Sequence, residues 1–204
     1  MSYFQRLESL DYNRTLAVPT RSRIALLTGQ SSFRSSRLTT QQLDFLRDVA
    51  PVNAERLQLG FPYHPDFDCD AAEPGIVAAS ARNTLQYLFS LHSRRYQRIV
   101  ALALQPLFTN TGESLFIVTG SCGLQLLTQA WPLIEQPQHL NVRVVALGPA
   151  GLLPPRAVAT IRGHRDLWSR LLYHGPITAR CDAGHLDYWN SQQARQLVKR
   201  LFNT

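Results

Sequence analysis

The stretch that decides the fold is residues 114–127, SLFIVTGSCGLQLL. Its first half, residues 114–119, is a compact run of large apolar and β-branched side chains and reads as a buried strand. Gly120-Ser121-Cys122-Gly123 breaks that run with small residues suited to a sharp turn. From Leu124 to Leu133 the apolar residues return at helical spacing. A buried strand, a tight turn and a helix follow one another with no spacer.

The same grammar recurs on either side. Residues 23–28 (RIALLT) form an apolar run that stops at Gly29-Gln30-Ser31-Ser32, a strand followed by a tight loop. Thr39 or Thr40 then caps a predicted helix with Leu43, Leu46 and Val49 on one face, closed by Pro51. Residues 56–59 (RLQL) read as a short strand, and residues 76–92 and 94–108 as two helices. Further strands are expected at 141–147 (NVRVVAL), 157–162 (AVATIR) and 177–181 (ITARC), and a last helix at 191–202. Residues 1–20 are weakly patterned and read as a short hairpin or lead-in strand. Strands alternating with helices predict an α/β fold, a mostly parallel central sheet with helices on both faces. The domain division expected is a lead-in segment, 1–22, and one α/β domain, 23–204.

Composition narrows the function classes. The chain has 204 residues, 45% of them hydrophobic and 17% charged, which is a globular rather than a disordered balance. No apolar run is long enough to cross a bilayer, and the N-terminus MSYFQRLESLDYNR lacks the order of a secretory signal. Three cysteines, Cys69, Cys122 and Cys181, fit neither a disulfide framework nor a metal spacing. The expectation is therefore a cytoplasmic protein with no cofactor and no metal. The net charge of +7 favours acidic partners. Nucleic acid ranks last among them, because aromatic residues are only 9% and do not interleave with basic ones.

In parallel sheets ligands gather beyond the carboxyl ends of the strands. Three such ends carry reactive side chains, in the order Ser121, Asp166 (in Gly163-His164-Arg165-Asp166) and His185 (in Asp182-Ala183-Gly184-His185). Here the chain resembles the α/β-hydrolase superfamily, over about residues 23–204. IVTGSCGLQLL resembles its nucleophile elbow, TIRGHRDLW its acid-bearing strand and ARCDAGHLDYW its histidine loop. Two departures stand out. Thr119 occupies a position usually held by glycine, and the short interval between Ser121 and Asp166 leaves no room for a cap domain.

The resemblance implies a compact, lidless serine hydrolase acting on an ester or thioester. Ser121 is the implied nucleophile, His185 the general base and then acid, and Asp166 the group that orients the imidazole. The backbone N–H groups of Cys122 and Gln30 are the implied oxyanion hole. Arg34 and Arg37 would form a basic rim for a phosphopantetheine phosphate or an acidic acyl-carrier protein.

Plainer readings stand beside these. Ser121 alone is an ordinary helix cap, and Asp166 alone a loop aspartate paired with Arg165 or Arg162. Cys122 is an alternative nucleophile, which would make the protein a cysteine hydrolase. Asp182 and Asp187 compete for the acid's role. His64, His164 and His174 are assigned nothing. Asp66, Asp68 and Asp70 lack the glycine and closing glutamate of a calcium loop. The alternative from another class is a non-catalytic binding or scaffold protein on the same fold.

Overall fold

The computed structural model describes residues 2–69, 74–152 and 158–203. Six strands form one sheet in the order β2-β1-β3-β4-β5-β6, and every neighbouring pair is parallel. The strands are β1 (Thr20–Leu27), β2 (Glu55–Arg56), β3 (Thr111–Gly120), β4 (Asn141–Leu147), β5 (Ala159–Gly163) and β6 (Ala179–Cys181). The helices are α1 (Tyr3–Glu8), α2 (Thr40–Val49), α3 (Ile76–His92), α4 (Arg94–Thr109), α5 (Gly123–Ala130), α6 (Leu167–Leu172) and α7 (Gln192–Asn203).

Alternation along the central strands sorts the core into two layers. Ala25, Leu27, Leu115 and Ile117 face α4 and α5, packing with Leu104, Leu107, Phe108 and Leu127. Their neighbours Ile24, Leu26, Phe116 and Val118 face α2 and α7, packing with Phe45, Leu46, Val198 and Phe202. A strand with both faces covered must be apolar at every position, which is why 24–27 and 115–118 read as unbroken runs. Each such leucine, isoleucine, valine or phenylalanine contributes about 1.5–3 kcal/mol of burial. Arg23 is the exception within β1. It is fully buried at the amino end of the sheet, where its guanidinium donates to Glu55 Oε2 at 2.7 and 2.9 Å and to Thr111 Oγ1 at 3.1 Å.

The structure departs from expectation in three places. Where a hairpin or lead-in strand is expected, α1 forms instead, closed by a reciprocal cap between Ser2 and Gln5. The expected strand at 56–59 shortens to Glu55–Arg56: the Gly60 N–H donates to the Ser36 carbonyl at 2.8 Å, and Leu59 bridges to Arg37, so the chain is drawn off the sheet. Helix α6 was not anticipated. Asp70, and Ala157 at the expected start of the fifth strand, lie outside the described residues.

Two connections set up the site. From β1 the chain crosses through α2 to β2 on one side, then returns through α3 and α4 to β3 on the other. The order of strands therefore switches between β1 and β3, and their carboxyl ends open a crevice. Gly29 follows β1 and Ser121 follows β3, on the two sides of that crevice.

Candidate active site

Ser121 sits at the sharp turn between β3 and α5 with a φ of 50°, a left-handed conformation that costs energy in any residue with a side chain. The turn is tied down on both sides. Its N–H donates to the Leu147 carbonyl at 3.3 Å, and the Ala150 N–H donates to its carbonyl at 3.2 Å. Gly123 lets α5 press against β1, since a Cβ there would collide with the Leu27 carbonyl. Thr119, in place of the usual glycine, lies within β3 in register with Leu27 and Ala146 and is fully buried. The departure is absorbed in extended backbone before the turn begins.

The three strand-end residues converge. Ser121 Oγ lies 3.0 Å from His185 Nε2, and His185 Nδ1 lies 2.9 Å from Asp166 Oδ1. Asp166 is fully buried at the head of α6. The Ser169 N–H donates to its Oδ1 at 2.9 Å and the Tyr188 hydroxyl to its Oδ2 at 2.7 Å. Burial alone would raise the Asp166 pKa. The hydrogen bonds from His185, Ser169 and Tyr188, with the charge attraction of His185, outweigh it and hold the carboxyl below its ordinary value.

Those bonds decide the proton positions. An ionised carboxylate only accepts, so Nδ1 of His185 carries the proton and donates to Asp166. In the neutral imidazole Nε2 is then the acceptor, and the Ser121 hydroxyl donates to it. Tyr188 is held as a phenol, because burial and the neighbouring carboxylate push its pKa far up, and it accepts the Gly163 N–H at 2.6 Å. Gly148 gives the carboxylate room: its φ is +53°, and a Cβ there would sit 2.7 Å from Asp166 Oδ2. On the histidine side, Asp187 Oδ2 accepts the Gly184 N–H at 3.0 Å and shapes the turn. Asp182 is exposed and faces Arg165 at 3.3 Å.

The Cys122 thiol is turned away from this chain of bonds. It is buried under Gly29, and desolvation pushes its pKa up to about 12 despite the N–H groups of Cys122 and Gly29 beside the sulfur. Gln30 requires a correction. Its N–H, expected as the second oxyanion donor, donates to Gln86 Oε1 at 3.0 Å, and Gln86 Nε2 donates back to the Gln30 carbonyl at 2.9 Å. Both residues are buried, so that N–H is engaged and does not face a substrate. Arg37 does not stand as a bare charge either: its Nε lies 2.7 Å from Asp68 Oδ1. Arg34 is exposed on the same loop.

Tyr188 and Gln86 escaped the sequence reading. A tyrosine three residues after the histidine was an available signal; Gln86 shares its helical face with Arg82, Asn83 and Ser90, so nothing in the pattern set it apart. His64 is buried and structural, with Nε2 3.0 Å from the Asp11 carbonyl and Nδ1 accepting the Asp66 N–H. His164 and His174 are exposed. Among the described residues no cluster of three or more His, Cys, Asp or Glu side chains could hold a metal ion, and no helix is long and apolar enough to cross a membrane.

No protein-family model and no curated protein matches the sequence. Solved structures do. The chain superposes on the crystal structure of esterase PE8 with a TM-score of 0.52 and 16% identity, over 93% of this chain and 94% of that one. A carboxylesterase from Mesorhizobium loti gives a TM-score of 0.46 and 17% identity over 92% of each chain. Identity this low speaks for fold alone. With its parallel sheet, its strained serine turn and the likeness to PE8, the chain has the α/β-hydrolase fold.

Proposed function

We propose that this protein is a serine hydrolase that cleaves esters through an acyl-enzyme on Ser121. The single observation that carries this reading is the unbroken line of hydrogen bonds from Ser121 Oγ through His185 to Asp166. A helix cap or a packing serine has no need of an imidazole on its hydroxyl, nor of a buried carboxylate behind that imidazole. The name of the structural neighbour PE8, an esterase, accords with the reading.

The steps follow from the proton positions. As Ser121 Oγ attacks the ester carbonyl, its proton passes to Nε2 of His185, and Asp166 stabilises the imidazolium. The negative charge that develops on the carbonyl oxygen meets the Cys122 N–H at the head of α5, where helix N–H groups have no partner within the helix. The tetrahedral intermediate collapses, the bond to the alcohol oxygen breaks, and His185 gives its proton to that oxygen. Water then attacks the acyl-enzyme by the same route and releases the acid. With Gln30 N–H held by Gln86, the oxyanion site rests on Cys122.

A thioester would follow the same steps. The pairing of Arg37 with Asp68 leaves little of the basic rim that an acyl-carrier protein would need. The buried, protonated thiol of Cys122 favours serine over cysteine as nucleophile. The test is turnover of p-nitrophenyl acetate by the parent and by Ser121→Ala. The reading expects measurable hydrolysis that the variant loses by a factor of about 10³ or more. A variant as active as the parent would contradict it.

A further inference from the structure

A cleft of about 370 Å³ opens beside the site, on the β1 side of Ser121. Its volume is at the lower end of small-molecule sites. Thr28 and Gly29, which line it, also border the serine turn: Gly29 lies against the Cys122 sulfur, and Thr28 against Gly120. Along the sheet, Ser121 after β3 stands between this cleft and the Asp166–His185 pair after β5 and β6. His185 must return its proton to the departing alcohol, so the leaving group belongs on the β5–β6 side. The cleft is therefore positioned for the acyl part of the substrate.

Its walls offer hydrogen-bond donors. Ser36 is 6% exposed, and among the described residues its hydroxyl has no hydrogen-bond partner. Its backbone is fixed, with the N–H donating to the Phe67 carbonyl at 3.0 Å and the carbonyl accepting from Gly60 at 2.8 Å. A buried, unpartnered hydroxyl on rigid backbone is what a ligand's oxygen would satisfy. Ser32 and Ser35 each accept a backbone N–H, from Arg34 and Arg37, at 3.3 Å, and their own protons remain to be given. Gln42 uses its carbonyl oxygen to accept the Thr39 N–H at 2.9 Å, so what it offers a ligand is its NH₂.

We propose that this cleft is the acyl subsite and that it selects acyl groups carrying a hydrogen-bond acceptor oxygen, such as alkoxy or keto acyl groups, over plain alkyl chains of the same length. The proposal rests on the reading of Ser121 as nucleophile.

The experiment compares two p-nitrophenyl esters of equal length, 4-methoxybutanoate and hexanoate, each rate normalised to its reaction with hydroxide. The parent is expected to favour the methoxy ester by about tenfold or more in kcat/KM. Ser36→Ala removes the buried hydroxyl. Gln42→Glu keeps an oxygen for the Thr39 cap but replaces the donor with an acceptor. Each is expected to lower the preference at least about threefold. If Ser36→Ala fails to fold, Gln42→Glu decides. A parent that turns over both esters but prefers hexanoate, or variants that leave the ratio where it was, would overturn the subsite and leave the serine mechanism standing. A folded parent that hydrolyses neither would overturn both.

Discussion

The phenol of Tyr188 donates to Asp166 Oδ2 at 2.7 Å while His185 donates to the other oxygen at 2.9 Å, so the two sides of one buried carboxylate serve different purposes. One bond faces the chemistry. The other lies behind it, and both, together with the Ser169 N–H on Oδ1, keep the carboxylate ionised where burial would neutralise it, the His185 bond most of all.

Tyr188→Phe should therefore cost about 1.5–3 kcal/mol at neutral pH, the range for a hydrogen bond to a charged group. The sign with pH follows from the lowered pKa of Asp166. Its contribution is complete above the unfolded carboxylate pKa of about 3.9 and fades as pH falls through the lower folded value. Urea melts at pH 7 and at progressively lower pH, down to about pH 3, should show the gap between parent and variant narrowing in acid towards the part that comes from the Gly163 N–H, which loses its acceptor at every pH. Equal stability at pH 7 would contradict the role given to Tyr188.

Gln86 and Gln30 form a closed, buried amide pair that holds the loop after β1. Gln86→Ala leaves both the N–H and the carbonyl of Gln30 unpaired, and should lower stability by about 1–3 kcal/mol in denaturant melts. Gln86→Glu restores the acceptor for the Gln30 N–H and should recover part of that loss. Two variants of equal stability would mean that the pair contributes nothing through its hydrogen bonds.

The three cysteines should differ in reactivity. Burial raises the Cys122 pKa to about 12 and that of Cys181 to about 11, whereas Cys69 is partly exposed. Iodoacetamide applied to the native protein at pH 8 should modify Cys69 first, with the other two labelled only after unfolding. Peptide mapping by mass spectrometry reads this directly. Rapid labelling of Cys122 would reopen the cysteine mechanism.

Much of the fold was legible because the central strands are buried on both faces, which makes 24–27, 115–118 and 144–147 stand out as unbroken apolar runs. The three strand-end residues were legible from their place at strand ends together with the family resemblance of the motifs that hold them, since parallel strands bring their carboxyl ends to one rim. What escaped has physical reasons. Helix α6 is only six residues long, too short for a periodic pattern to stand out, and its apolar side chains Leu167, Trp168 and Leu171 are 60–67% exposed rather than part of the core. In α1 the paired cap of Ser2 and Gln5 lies within the sequence, but one short turn of helix carries too little periodicity to be seen. The state of the Gln30 N–H was beyond reach, because its partner Gln86 lies 56 residues away.

A fluorophosphonate probe tests the central claim most directly, because it reacts covalently with a hydroxyl only where a base activates it. With the folded protein and intact-mass detection, the account predicts one adduct per chain, mapping to Ser121 and absent from His185→Ala. Folded protein that takes up no probe, or an adduct on any other residue, would contradict it.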